Sequence, residues 1–473
     1  MKRITCIFLV FCLCLSLAGC GSSEEETGED VQGPAKVSEE ELDQQAFQKA
    51  GEYLKTMTLL EKIGQMFLVD ADKLVKGEEA VTTVSPELVE AVEKGKIGGI
   101  VFNKRNVQTA DQIKALIQDV KQSVSASTEL SIPLYIGTQE EGGGRNSIAA
   151  ATDTITSTGY VSPAEMGKNM TEGQLENTGE VIAGELTDLG FNLNFAPSAD
   201  LAEEEVPVDR QAVSDCAVSA IGEGPEYPNL NRKKLSKKKK KKMLKSYQKR
   251  LQEYNAKWDA FLKLWMEDDY KSSCFGIDEE QVGEAVEAMI NGMHAVGDHG
   301  ICTVLKMFPG IASVARYHKL INTKVDTGLS RLRRTNLSPF SSGIHAGTDF
   351  IMVGHVALGK VDQDVPASLS ETIMTELLRN EMGFNGIIIT EQMDVPVITN
   401  AYTTEQAVVR AISSGADMVY DPEDLHAAIS SVQQAVITGK IEEEKIDQAV
   451  LRILQNKIRR GIWTPPAVVE DSE

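Results

Sequence analysis

Short apolar runs recur along the chain, each ending in polar residues, and most are separated by stretches whose apolar positions repeat with helical spacing. FLVD (67–70), GGIVF (98–102), PLYIGT (133–138), FNLNFAP (191–197), ICTVLKMF (301–308), FIMVGH (350–355), GIIITE (386–391) and DMVYDP (417–422) read as strands. Strands that alternate with helices predict a parallel sheet. Eight such units predict an α/β fold, a TIM-type (β/α)8 barrel, whose site lies where the strands end. The polar residues that follow the runs then meet at one mouth: Asp70, Asn103, Gln139, Glu140, Glu141, Asp200, Lys306, His355, Glu391 and Asp421. The segment EEEKIDQAVLRILQNKIRRGIW carries Ile446, Val450, Leu454 and Ile458 at helical spacing, which predicts a closing helix.

The rhythm breaks once. About a hundred residues separate the fourth and fifth runs, so an insertion is expected over 204–272. Its stretch 232–271 holds 15 basic and 5 acidic residues, a net +10 in a chain whose formal charge is -22. Leu244, Tyr247, Leu251, Tyr254, Trp258, Phe261 and Trp265 fall three or four apart, which predicts an amphipathic helix with an aromatic stripe. Such a helix either lies on an anionic surface, membrane or wall polymer, or docks its stripe on the barrel while its lysines stay in water. The docked arrangement is the commoner use of a stripe.

The N-terminus MKRITCIFLVFCLCLSLAGC pairs two basic residues with an apolar run too short for a comfortable span, then Leu17-Ala18-Gly19-Cys20. This reads as an export signal over 1–20 with a lipobox, Cys20 taking the lipid and anchoring the protein outside the cytoplasm. Residues 21–45 are polar and acidic and read as a flexible tether. The barrel is expected over 46–463 and a tail over 464–473. The strong negative charge argues against nucleic acid as a partner, because phosphate is repelled over most of the surface. Beyond the signal, Cys216, Cys274 and Cys302 form no metal-ligand or disulfide pattern. Nothing in the sequence demands a metal or an organic cofactor.

Several phrases carry a resemblance. MTLLEKIGQMFLVD (57–70), KIGGIVFNKRNVQT (96–109), IPLYIGTQEEGG (132–143), IAGELTDLGFNLNFAPSADL (182–201), CFGIDEEQV (274–282), LKMFPG (305–310), DFIMVGHVAL (349–358), PASLSETIMTELLRNEMGFNGIIITEQMD (366–394) and the terminal KIDQAVLRILQNKIRRG resemble glycoside hydrolase family 3, above all its bacterial single-barrel β-N-acetylhexosaminidases. The resemblance runs from about residue 50 to 461 and is interrupted by the insertion. It implies a retaining exo-glycosidase that removes terminal β-linked N-acetylglucosamine from cell-wall fragments, with no cofactor. Such chemistry needs a carboxylate that attacks the anomeric carbon and an acid that protonates the leaving oxygen.

The resemblance also locates the site residues. Glu391, in Ile389-Thr390-Glu391-Gln392-Met393-Asp394, stands where the family has its nucleophilic Asp after strand seven; it keeps the carboxylate and adds one methylene. Asp394 matches another family position. In the loop after strand five, Arg316-Tyr317-His318 stands for the family's Asp-Ser-His, so His318 is the candidate acid/base without its orienting acid, with Arg316 disfavouring the imidazolium. The family's sugar-binding Asp is Gln139, its Arg is displaced to Arg145 by an extra glycine in 142–144, and its Arg-Ser-Phe-Gly is Ser273-Cys274-Phe275-Gly276. Gln139, Glu141, Asp200, Lys306 and His355 remain as candidate sugar contacts. Two functions fit: a cell-surface hydrolase of impaired or changed activity, or a non-catalytic lipoprotein that binds a glycan or a partner.

Overall fold

The computed structural model describes residues 39–77, 80–127, 132–143, 146–149, 151–152, 161–204, 210–232, 235–265, 270–314 and 317–466. The export signal, Cys20, Arg145 and Arg316 lie outside them. Eight parallel strands form the barrel: β1 (Phe67–Asp70), β2 (Gly99–Val101), β3 (Tyr135–Thr138), β4 (Leu193–Asn194), β5 (Cys302–Phe308), β6 (Phe350–Val353), β7 (Ile387–Thr390) and β8 (Val419–Tyr420). They pair in the order β8-β1-β2-β3-β4-β5-β6-β7, and a bridge from Ile389 to Met418 joins the two ends of the sheet. Each run read as a strand contains one. A parallel two-stranded ribbon outside the barrel, Thr323–Val325 with Val356–Leu358, went unread because neither piece alternates apolar and polar positions.

A helix starts at Glu39, seven residues before the boundary expected at 46, because Ala46 and Ala50 bury their methyl groups beneath the barrel. Asp43 on the same helix pairs with Arg459 of the closing helix at 3.1 Å.

That closing helix, Glu443–Arg459, caps the amino-terminal end of the barrel. Lys457 is buried and donates to Gln65 Oε1 at 2.8 Å, Gly98 O at 2.9 Å and Pro133 O at 2.8 Å, three groups at the starts of β1, β2 and β3. Gln65 is delivered by the helix Leu59–Gln65, which opens with a reciprocal cap: Thr58 Oγ1 accepts the Glu61 amide and Glu61 accepts the Thr58 amide. Asp349, just before β6, accepts from Arg460 Nε at 2.7 Å, Asn456 Nδ2 at 2.7 Å and the Thr303 amide at 3.0 Å. Burial alone would raise this carboxyl, but Arg460 and His294 hold it well below the usual carboxylate range.

Two helices are described within the insertion. Arg210–Ile221 and Lys237–Trp265 pack together. Leu244, Tyr247, Leu251, Tyr254 and Trp258 are half-buried and Phe261 is buried, while Lys237, Lys238, Lys239, Lys241 and Lys242 are exposed. The Tyr227 ring meets Tyr247 edge-on at 5.2 Å between centroids. The stripe is therefore a packed face. Among the described residues no helix is long and apolar enough to cross a membrane. Cys216, Cys274 and Cys302 are buried and not joined in a disulfide among the described residues.

Replacing Asp349 with Ala leaves the Arg460 cation buried without its carboxylate and should lower the unfolding free energy by about 3 to 5 kcal/mol in urea titrations at neutral pH. Because the folded-state pKa is depressed, this stabilisation is present above the unfolded value of about 4 and fades as the pH falls below it. The gap between wild type and Asp349→Ala should narrow correspondingly at pH 3.

Candidate active site at the carboxyl ends of the strands

Glu391 follows β7 and is only 2% exposed. Its Oε1 lies 2.8 Å from His318 Nε2 and 3.7 Å from Lys319 Nζ, and its Oε2 accepts the His355 amide at 3.2 Å. Burial alone would raise the carboxyl, but His318, then Lys319 and His355, bring it down from an ordinary 4.5 to about 2. An ionised carboxylate only accepts, so His318 Nε2 carries the proton of this bond. The imidazole itself is entirely buried.

The loop that brings His318 there is set by β5. A bulge between Lys306 and Phe308 puts Met307 at φ +94°, and Gly310 at φ +110° turns the chain across the mouth. A Cβ on Gly310 would stand 3.1 Å from Asn336 Nδ2 and 3.2 Å from Asp200 Oδ1, so a side chain fits neither the conformation nor the space. The Ile311 amide then donates to Asp200 Oδ2 at 2.6 Å, and the Tyr270 hydroxyl donates to the same oxygen at 3.1 Å. Asp200 thus staples the loop to β4. Burial pushes its carboxyl up to about 7 against these donors. Lys306 and Glu141, at the ends of β5 and β3, form a buried ion pair. Glu140 faces Asn194 through two backbone hydrogen bonds and accepts the Ile148 amide at 3.0 Å; burial raises its carboxyl to about 7.

A second, more open half of the mouth lies around β8, β1 and β2. Asp70 accepts from Tyr420 Oη at 2.6 Å and Asn103 Nδ2 at 2.8 Å. Asp421 accepts from Gln392 Nε2 at 2.8 Å and from Lys73 Nζ at 3.1 Å, and Lys73 also meets Asp394 at 2.6 Å. Burial, then the neighbouring Asp421 charge, raises Asp70 to about 7. Asp421 holds φ at +51°, an uncommon backbone state for a residue with a side chain.

This geometry sits in a chain with known kin. The family model described as "Glycosyl hydrolase family 3 N terminal domain" matches residues 58–214 and 266–456. The chain belongs to glycoside hydrolase family 3. A "Beta-hexosaminidase A" of Pseudoalteromonas piscicida is 22% identical over 432 residues, 85% of this chain and 61% of the relative. A "Beta-hexosaminidase" of Idiomarina loihiensis is 23% identical over 350 residues, 74% of this chain and 84% of the relative. Among solved structures, a family 3 β-N-acetylglucosaminidase from a Paenibacillus superposes with a TM-score of 0.64 at 24% identity, covering 88% of this chain and 65% of that one. A β-N-acetylhexosaminidase from Beutenbergia cavernae gives 0.62 at 22% identity, covering 84% and 98%. The two matched segments of the family model leave out 215–265, which is the body of the insertion.

Of the residues read from the family 3 pattern, the fold brings Glu391, His318 and His355 into one cluster and Lys306 with Glu141 into another. His355 reaches Glu391 through its amide. Its ring is spoken for by protein: Nε2 donates to Gln392 O at 2.8 Å, which leaves Nδ1 to accept from Ser368 Oγ at 2.7 Å. Asp200 is likewise engaged by Ile311 and Tyr270. Gln139 stays half-buried beside them. Sequence reasoning missed Lys319, although it adjoins His318, and Tyr270, whose place beside Asp200 no local pattern announces. Lys319 brings a cation to within 3.7 Å of Glu391.

Because Glu391 is held below its unfolded pKa, its ionisation contributes stability above about pH 4.5 that is lost as the pH falls toward 2. Glu391→Gln removes that contribution, so the variant should fall short of wild type by roughly 3 kcal/mol at pH 6. The shortfall should shrink steadily in chemical unfolding series run down to pH 3.

Proposed function

We propose that this protein is an exported, lipid-anchored family 3 glycosidase acting on terminal β-linked N-acetylhexosamine residues of cell-wall glycans, with hydrolysis slowed by its own active-site pairing. The observation that carries this reading is the 2.8 Å contact of His318 with Glu391. Retaining glycosidases keep the nucleophile and the acid about 5 to 5.5 Å apart when both are carboxylates, leaving room for the anomeric carbon and the leaving oxygen between them. A His acid/base obeys the same need for space. Here the two groups touch, so the sugar enters only when His318 moves off Glu391.

The protonation states suit the chemistry once it does. An ionised Glu391 attacks the anomeric carbon, the bond to the leaving oxygen breaks, and the His318 proton passes to that oxygen. Water then attacks the anomeric carbon of the glycosyl ester, His318 takes a proton from that water, and the bond to Glu391 breaks to restore its carboxylate. The extra methylene of Glu against Asp displaces the attacking oxygen, and a shift of about 1 Å in a positioned reaction costs about a hundredfold in rate. The relatives' names supply the sugar class; the acidic tether and Leu17-Ala18-Gly19-Cys20 supply the location.

A second reading has its own observation. Two charged groups that the family pattern offers to the sugar have counter-charges inside the chain, Lys306 in Glu141 and Glu391 in Lys319, which suits a protein that binds a glycan without cleaving it.

Aryl β-glycosides decide between the two, since an aryl leaving group departs with little acid assistance. The hydrolase reading expects slow turnover of the aryl N-acetylglucosaminide that Glu391→Gln abolishes and His318→Ala reduces far less. Folded protein that turns over no member of an aryl-glycoside panel, yet binds wall-fragment saccharides in calorimetry, would establish the second. Export has a separate check: full-length protein should incorporate labelled fatty acid, and Cys20→Ser should not.

A further inference from the structure

The insertion touches the active-site loop. Val213, Cys216, Ala217 and Phe261 from its two helices bury themselves together with Leu320, and Trp258 and Tyr317 pack half-buried against them. This cluster is separate from the barrel core. Leu320 lies two residues beyond His318 and one beyond Lys319, the two side chains on Glu391.

Two of these residues are also held through their carbonyls, one from each side. Cys216 Sγ donates to Leu320 O at 3.2 Å, and the Val397 amide, from the segment after β7, donates to Lys319 O at 2.9 Å. Asn400 Nδ2 in turn donates to Cys216 Sγ at 3.4 Å, tying the insertion to that segment as well. The first turns of the long helix work against this docking. Lys237 to Lys242 put like charges four residues apart and place cations at the positive end of the helix dipole. A satellite cluster of five buried residues held by such a helix belongs to the low-stability end of local opening.

We propose that the inserted helical pair is a positioning element for the active-site loop: Phe261 and Cys216 hold Leu320, and through it they seat His318 and Lys319 on Glu391. The carboxylate becomes reachable when the pair lifts. The insertion is thus the gate of the site, and Phe261 is a positioning residue that never meets the sugar. This extends the glycosidase reading by naming what separates His318 from Glu391, but its test needs no turnover.

The test follows two buried groups at once in the intact protein. Cys216 is titrated with a maleimide and His318 with diethylpyrocarbonate, each assigned by peptide mapping, in wild type, Phe261→Ala and Phe261→Leu. In Phe261→Ala both groups should react about tenfold faster or more, as local opening exposes them together. Phe261→Leu should stay near wild type, and Cys274, Cys302 and His355, which belong to the barrel, should keep their wild-type rates. Faster Cys216 with unchanged His318 would overturn the proposal, because the insertion would then move without the loop. A uniform rise at all five positions would overturn it too, since Phe261 would then be acting on global stability alone. If aryl glycosides are not cleaved, the same rates still decide it.

Discussion

Closing eight short parallel strands into a ring drives the residues at the strand ends into a small volume with little water, and a charge in such a place must be paired. An uncompensated buried ion costs several kcal/mol. The mouth answers with a set of partnerships: Glu391 with His318 and Lys319, Lys306 with Glu141, Asp421 with Lys73. Where no cation is at hand, the acid keeps a high pKa instead, as Asp200 and Glu140 do. Two responses to one constraint therefore set the protonation states around the site.

The same rule operates at the other end of the barrel with a different outcome. There Asp349 and Arg460, and Lys457 with its three oxygen acceptors, fasten the closing helix to the starts of the strands. These contacts lie at one end of the barrel and the candidate site at the other, and the barrel's length separates the two. Substitution at the mouth can therefore proceed without unravelling the fold. The chain keeps its eight strands although the sequence reads Arg-Tyr-His and Glu at the two positions that the family 3 resemblance gives to the acid/base step and the nucleophile.

Family 3 chemistry and the insertion meet at one loop. The turn after β5 is fixed by Asp200 at Ile311 and by the cluster at Leu320, so His318 is held at both ends of its segment. A residue so held sits where its neighbours put it. The contact of His318 with Glu391 thus lies within two residues of a cluster whose Cys216 and Phe261 fall outside the segments that the family model matches.

The order of elements was legible in the chain itself, because short β-rich runs between helical periodicities admit few arrangements other than a parallel barrel, and each run holds its strand. The aromatic stripe likewise announced a packed helix. Glu391, Lys306 and His355 could be placed at the mouth because strand ends converge whatever their side chains are. What those side chains do there was not legible. That His318 rests on Glu391, that Lys319 supplies a neighbouring cation, that Asp200 holds a loop, and that Phe261 packs with Leu320 some sixty residues away are all contacts between segments remote in sequence. Periodicity reports how a segment meets its own neighbours, so it fixes elements and faces. Pairing of buried charges depends on which loops the closed barrel brings within about 4 Å, the reach of an ion pair, and only the tertiary structure decides that.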